Sequence, residues 1–147
     1  MAHQHAVGMA SPQSAAISRQ RWLSRGMVAS VAGLMMANLS LIFFWVPTDV
    51  NLGIVQRVFY FHVPVAWVSF LAFFIVFVAS VGYLWKRRQG WDVMARSAAE
   101  IGVLLTSVTL ITGIIWAKPI WGVWWTWDPR LTTTLILWLI YVAYLMV

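Results

Sequence analysis

The sequence predicts an all-α integral membrane protein, on two observations. Hydrophobic residues make up 62% of the chain and charged residues only 10%, whereas soluble proteins carry about a quarter charged residues. The apolar residues also come in four long runs separated by short polar stretches. A helix needs about 20 apolar residues to cross the hydrocarbon layer of a bilayer. The composition therefore excludes a soluble domain and predicts helical membrane spans.

The elements follow from the order of polar and apolar stretches. Residues 1–26 are polar and irregular and predict a disordered cytoplasmic tail. Residues 27–147 are expected to form one transmembrane domain. Pro64 is expected in the first turn of the second span, where its missing N–H matters least. The four apolar runs predict transmembrane helices at 27–46, 63–85, 97–116 and 131–147.

The fourth run ends at Val147 without a basic flank, a cap or a polar exit. We expect the chain to be a C-terminally truncated form of a longer membrane protein.

The basic residues predict the orientation of the spans. The net charge of +6 comes from residues in short polar stretches, which favours a topology signal over nucleic-acid binding. The tail and the predicted 86–96 loop hold seven basic residues against three on the opposite side, so the N-terminus is expected in the cytoplasm. The seven are Arg19, Arg21, Arg25, Lys86, Arg87, Arg88 and Arg96, and the three are Arg57, Lys118 and Arg130. The segment around His62 and a tryptophan-rich loop at 117–130 then share the outer face.

The chain contains no cysteine. Disulfides, thiolate metal sites and the cysteine motif for covalent haem attachment are therefore excluded. No nucleotide-binding loop of the Walker type is present either, so no ATP chemistry is expected of this chain.

Four tryptophans fall within seven residues of the outer loop: Trp121, Trp124, Trp125 and Trp127. If the segment is helical, three of them share a face with Asp128, at spacings of three, four and seven residues. Such a surface suits a large, flat aromatic ligand. The alternative is an aromatic belt at the membrane boundary, where tryptophan is enriched.

Asp128 and Pro129 have a structural interpretation of their own. An Asp-Pro pair before an apolar run predicts an N-cap followed by proline at the first helical position. Asp128 is expected to cap the fourth span and to hold the aromatic surface in register.

His62 lies at the outer end of the second span and is the one histidine outside the tail. Imidazole can ligate haem iron axially, although a single histidine at the membrane boundary is more often a polar boundary residue. Arg57, Lys118 and Arg130 flank the same surface. Arginine pairs with carboxylates such as haem propionates, whereas we interpret Lys118 as a head-group anchor.

Two further polar features have structural interpretations. Glu100 lies three residues after Ser97, which is the spacing of a capping box at the start of the third span. We favour this cap over a functional carboxylate. His3 and His5 could hold a metal weakly, but zinc sites usually need three or four fixed ligands.

Two motifs resemble a known family. Residues 121–132, WGVWWTWDPRLT, resemble the tryptophan-rich signature of the haem-handling proteins. Their Arg-Leu-Thr ending resembles the family of cytochrome c maturation protein C, also called haem exporter protein C. Residues 57–66, RVFYFHVPVA, resemble the stretch around that family's first haem-ligating histidine. The resemblance runs from about Trp45 to the end of the chain.

The resemblance implies a site and a setting. The family has six spans and binds haem b without a covalent link, at the outer, periplasmic face of the bacterial inner (plasma) membrane, between two axial histidines. Four spans and one of these histidines are expected here. By position, His62 is the expected axial ligand of the iron. The expected haem platform consists of Trp121, Gly122, Trp124, Trp125, Trp127 and Asp128.

The resemblance also implies a function. The chain is expected to be a haem-binding subunit that presents haem to a membrane-anchored haem chaperone, cytochrome c maturation protein E. It is not expected to be an enzyme, since ATP chemistry would belong to the ATPase and permease partners of an ABC-type complex. One alternative is a cytochrome c synthetase, which the Arg-Leu-Thr ending and the short chain disfavour. Another is a small non-haem transport subunit, disfavoured because the spans lack a paired ionisable relay.

Overall fold

The computed structural model describes residues 12–147, with side chains from residue 16 onward. His3 and His5 lie outside the described residues. Within the described part, four helices are long and apolar enough to cross a membrane. This confirms the predicted all-α membrane fold. The helices are α1, Pro12–Ser40, continued by a π-helical turn, Leu41–Trp45; α2, Gln56–Lys86; α3, Gln89–Trp121; and α4, Pro129–Met146.

The described chain divides into two units, with the boundary between Val46 and Pro47. The first unit is α1 with its π-helical turn, in which the Val46 N–H donates to the Leu41 carbonyl over 3.0 Å. Residues 12–26 are helical. The prediction of an irregular tail is therefore wrong for these residues. The stretch between Pro12 and Gly26 contains no helix breaker, and the helix of the apolar run continues through it.

The second unit contains α2, α3 and α4, and its helices extend beyond the predicted spans. The hydropathy pattern marks only the lipid-immersed part of a helix, whereas backbone hydrogen bonding continues into the interface. As a result α2 begins at Gln56, and Pro64 lies inside it rather than in its first turn. Pro64 has no N–H to donate, so the carbonyl of Tyr60 loses its partner within the helix.

The predicted 86–96 loop is instead a two-residue turn between α2 and α3. Arg87 adopts a left-handed conformation with φ of 50° and donates its N–H to the Tyr83 carbonyl, which ends α2. Because α3 begins at Gln89, Ser97 and Glu100 lie inside that helix. The predicted capping box is therefore wrong: the helix starts earlier than its apolar run.

Small residues hold α2 and α3 close together. The buried cluster at their interface contains Val76 and four alanines: Ala79, Ala95, Ala98 and Ala99. Small side chains let helix backbones approach closely in a membrane. The fit is tight, since a Cβ at Gly102 would lie 2.6 Å from Phe73 Cε1.

Helix α4 packs against both of its neighbours. The Trp138 indole N–H donates to Ser107 Oγ of α3 over 2.9 Å. The ring of Tyr141 stacks on Phe73 of α2, with 4.1 Å between ring centroids. These two contacts fix the position of α4 beside the α2–α3 pair.

Candidate functional site: a cavity beside His62

A cavity of about 380 Å³ lies among α2, α3 and α4. Its walls are mostly apolar and aromatic, with a few polar groups. Clefts of this kind are the usual sites of small-molecule and cofactor binding. The lining residues are Phe59, His62, Val63, Ala66, Trp67 and Phe70 from α2; Thr109, Leu110, Gly113, Trp116 and Trp121 from α3; and Arg130, Leu131 and Thr134 from α4.

His62 is held against α3 within this wall. Its Nδ1 lies 2.8 Å from Thr112 Oγ1, a hydrogen-bond distance. Its Cε1 faces Gly113, where an added Cβ would come within 3.2 Å of it. The absence of a side chain at Gly113 therefore lets the imidazole lie close to the backbone of α3.

Two tryptophans of α3 form an aromatic corner of the cavity. Trp116 and Trp121 meet edge to face, with 5.5 Å between ring centroids. The Trp116 Nε1 atom is buried, and no acceptor within the described residues reaches it. A buried donor without a partner lowers the stability of the fold. The Trp116 indole N–H is therefore available to donate to an acceptor group of a ligand in the cavity.

Arg130 lies at the exposed edge of the same cavity. Its guanidinium carbon is 5.4 Å from the centre of the Trp121 ring, within the range of a cation–π interaction. Its Nε is 3.9 Å from Asp128 Oδ1, and its side chain is 71% exposed. The guanidinium is thus accessible to a ligand carboxylate while its stem stays beside the aromatic wall.

The tryptophan-rich segment is not one helical face. Helix α3 ends at Trp121, and Gly122, with φ of 74°, donates its N–H to the Lys118 carbonyl. The residues between Gly122 and Asp128 have no helical structure, so Trp121, Trp124, Trp125 and Asp128 do not share the face that a continuous helix would give them. Gly122 adopts a left-handed conformation that favours glycine, and this ends the helix.

The other three tryptophans, Trp124, Trp125 and Trp127, lie in the loop between α3 and α4. Trp124 is 57% and Trp127 is 76% exposed. Trp125 is half-buried and meets Trp127 edge to face, with 5.7 Å between ring centroids. Lys118 Nζ lies 5.7 Å from the centre of the Trp124 ring and donates to the Gly122 carbonyl. Lys118 thus packs against the loop.

Asp128 caps α4, as predicted. Its Oδ1 accepts the Leu131 N–H over 3.1 Å, and Pro129 follows at the first helical position. Its Oδ2 accepts the Thr126 hydroxyl over 2.6 Å. These donors, first Thr126 and then Leu131, hold the pKa of the Asp128 carboxyl below its usual range.

Three of the predicted site residues line one cavity: His62, Trp121 and Arg130. The others lie outside its lining. Gly122 ends α3, Asp128 caps α4, and Arg57 is half-buried in the first turn of α2. Trp124, Trp125 and Trp127 belong to the loop that follows Trp121.

Sequence reasoning missed three residues of the site: Thr112, Gly113 and Trp116. All three lie in the third apolar run, whose hydropathy predicts only a membrane span. A signal was present, since a Thr-Gly pair is polar and small amid a bulky apolar run, and small or polar residues in a span often mark helix contacts. Their pairing with His62 depends on the register of α2 against α3, which the sequence alone does not specify.

The donor set fits an iron porphyrin better than a bare metal ion. Within residues 12–147, no three His, Cys, Asp or Glu side chains come together. One imidazole, an aromatic wall and an exposed guanidinium instead match the parts of haem, which are an iron with axial positions, a flat ring and carboxylates.

These features define the class: a multi-pass, all-α membrane protein with a histidine and tryptophan rings around one apolar cavity. Comparison with known proteins identifies the family within this class. The family model described as "Heme exporter protein C" matches residues 5–147, and the chain belongs to this family.

Individual relatives show the same similarity. The heme exporter protein C of Rhodobacter capsulatus is 42% identical over 103 residues, covering 70% of this chain and 43% of that protein. That of Paracoccus denitrificans is 37% identical over 125 residues, covering 84% and 49% respectively. That of Escherichia coli K12 is 36% identical over 102 residues, covering 69% and 41%. The chain thus spans less than half the length of these curated relatives.

Proposed function

We propose that this chain is a haem-binding membrane component of cytochrome c maturation, which holds haem b non-covalently and presents it to a haem chaperone. Membership of the heme exporter protein C family supports this proposal over the synthetase and transport alternatives. The observation that carries it is the cavity in which His62, Trp121 and Arg130 converge. Haem is the cargo of this site, and the chain supplies contacts rather than a reaction.

Each side of the cavity has a separate task in this proposal. The imidazole of His62 is the axial ligand of the iron, since a neutral ring nitrogen is a common haem ligand. Trp116 and Trp121 offer apolar surface to the porphyrin ring. Arg130 pairs with a propionate at the exposed edge, where its guanidinium is accessible.

The exposed tryptophans of the loop are assigned to presentation. Trp124 and Trp127 project from the segment that joins α3 to α4. The loop lies between two membrane spans, and clustered apolar residues that are exposed outside the lipid commonly mark an interaction surface. We propose that they contact the porphyrin edge or the chaperone while haem is handed over. The ATPase and permease subunits of an ABC-type complex are the further proposed partners.

The proposed location is the inner (plasma) membrane of a bacterium, with the site at the periplasmic face. The four spans and the excess of basic residues on the opposite side support this orientation.

The test is haem loading of the chaperone in cells that lack their own copy of this protein. We expect replacement of Trp121, Trp124, Trp125 and Trp127 by Ala to abolish haem loading of the chaperone, measured from the Soret band of the purified chaperone. The matched control replaces Trp22 and Trp85 by Ala. These two tryptophans lie outside the site, and their side chains are 73% and 84% exposed. If loading persists in the fourfold variant at equal protein level, the proposed function is wrong.

A further inference from the structure

The imidazole of His62 has one fixed neighbour at hydrogen-bond distance. Thr112 Oγ1 lies 2.8 Å from Nδ1, one helix residue before Gly113, whose missing side chain admits the ring. A histidine ring that is bonded at one nitrogen and packed against backbone has a defined orientation. Whether Nδ1 or Nε2 carries the proton of the neutral ring depends on whether the Thr112 hydroxyl donates to Nδ1 or accepts from it.

The hydroxyl proton of Thr112 is already used within α3. Its Oγ1 lies 2.7 Å from the Val108 carbonyl oxygen and 3.2 Å from that of Thr109. Two oxygens at 2.7 Å repel unless a hydrogen lies between them, so the hydroxyl donates to its own helix. Because a threonine hydroxyl has only one hydrogen, Thr112 can act toward His62 only as an acceptor.

It follows that His62 donates from Nδ1. In the neutral ring the proton then resides on Nδ1, and Nε2 keeps its lone pair. Metal-ligating histidines commonly donate their other N–H to an oxygen acceptor, which fixes the tautomer and raises the basicity of the ligand. That acceptor is usually a carboxylate, a backbone carbonyl or a water. Here the acceptor is the hydroxyl oxygen of Thr112, whose own hydrogen is donated to the Val108 carbonyl of α3.

We propose that Thr112 is the positioning residue of the haem site: it holds His62 in the Nδ1–H tautomer and leaves Nε2 free to ligate iron. This inference rests on the proposed function for its haem part. The tautomer itself is a property of the haem-free protein.

The first experiment uses the haem-free chain in detergent, with ¹⁵N-labelled histidine. Spectra are recorded near pH 8.5, about two units above the ordinary histidine pKa of about 6.5. The His62→Ala spectrum identifies the His62 signals by difference from those of His3 and His5. We expect a protonated Nδ1 and an unprotonated Nε2 in the unmodified chain, and loss of this preference in Thr112→Val.

Two variants separate the hydrogen bond from a general effect on the helix. Thr112→Ser keeps the hydroxyl and should keep the tautomer. Thr106→Val removes a hydroxyl that bonds only to the Gly102 carbonyl of the same helix, and it should also leave His62 unchanged. An Nε2–H tautomer in the unmodified chain, or an unaltered Nδ1–H tautomer in Thr112→Val, would overturn the proposal.

The second experiment titrates the same variants with haem and follows the Soret band. We expect Thr112→Val to bind haem about tenfold more weakly with a shifted band, and Thr112→Ser and Thr106→Val to match the unmodified chain. Equal affinity and an equal band in Thr112→Val would contradict the positioning role. If the unmodified chain took up no haem while the ¹⁵N spectra were as expected, the proposed function would fail and the tautomer assignment would stand.

Discussion

At the scale of single residues, the site depends on what surrounds His62. The ring lies between the Thr112 hydroxyl and the bare backbone of Gly113. An added methyl group at Gly113 would lie 3.2 Å from His62 Cε1, so the ring would have to shift, and a shift disturbs its hydrogen bond to Thr112. Precise support of this kind is what a metal-binding histidine requires.

We therefore expect Gly113→Ala to weaken haem binding by about tenfold. The matched control is Gly90→Ala, also in α3, where an added Cβ meets nothing within 4 Å. That change should leave binding unaltered and stabilise the helix slightly. Titration of both variants with haem provides the measurement, and equal affinities would contradict this account of Gly113.

Arg130 allows a test of the proposed propionate contact. Because the guanidinium is largely exposed, we expect Arg130→Gln to reduce haem affinity only about fivefold, or about 1 kcal/mol. Haem with esterified propionates carries no carboxylate. The unmodified chain and Arg130→Gln should therefore bind it with equal affinity. The control is Arg96→Gln, an exposed arginine of α3 outside the cavity lining. An equal loss of affinity for the esterified haem would contradict the propionate contact.

Some residues of the site were predictable from the sequence and others were not. His62, Trp121 and Arg130 stand out by chemical type in the stretches that flank the apolar runs, and the structure places them around one cavity. Thr112 and Gly113 stand out only once α2 and α3 are paired, because their significance is their distance to His62.

At the scale of helices, composition predicts that the four spans exist but not where they end. Apolar runs register the lipid-immersed segment, whereas α2 begins at Gln56 and α3 at Gln89, both outside those runs. The start of α4 was predictable, since an Asp-Pro pair has a local capping mechanism that needs no tertiary information. The sequence left open whether the tryptophan-rich segment is helical, and the left-handed Gly122 ends α3 before most of it.

The Asp128 cap gives a prediction about pH. Hydrogen bonds from Thr126 and Leu131 lower the pKa of this carboxyl in the folded protein. Its contribution to stability is therefore present above the unfolded-state pKa of about 3.9, and it is lost as pH falls through the lower folded-state pKa. We expect Asp128→Ala to lower the thermal midpoint at neutral pH, with a difference from the unmodified chain that narrows below about pH 4.

Circular dichroism in detergent measures this difference, with two comparison variants. Asp128→Asn keeps an oxygen that can accept the Leu131 N–H, so it should retain most of the cap. Asp92→Ala removes an exposed carboxylate from the first turn of α3. Because α3 has no side-chain cap, this change should lower the thermal midpoint less than Asp128→Ala does. A midpoint difference for Asp128→Ala that stays constant from neutral pH to about pH 3 would contradict this role of the carboxylate.

At the scale of the whole molecule, the proposed function requires the site to face the periplasm. The α3–α4 loop must then be outside and the α2–α3 turn inside. The chain contains no cysteine, so single cysteines can report the side of the membrane without background labelling.

We expect Val123→Cys, in the α3–α4 loop, to react with a membrane-impermeant maleimide in intact spheroplasts. Val123 is 45% exposed. Gln89→Cys, at the α2–α3 turn, should react only after the membrane is permeabilised, and the unmodified chain should not react at all. The reverse labelling pattern would place the cavity on the cytoplasmic side and rule out presentation to a periplasmic chaperone.

The central claim is that His62 binds haem iron in the cavity beside the tryptophans, and a haem titration of the detergent-purified chain tests it most directly. The unmodified chain should give a Soret band of histidine-ligated haem. His62→Ala should give a weaker, shifted band, which added imidazole restores by occupying the vacated position. Identical bands and affinities for the two chains would contradict the claim.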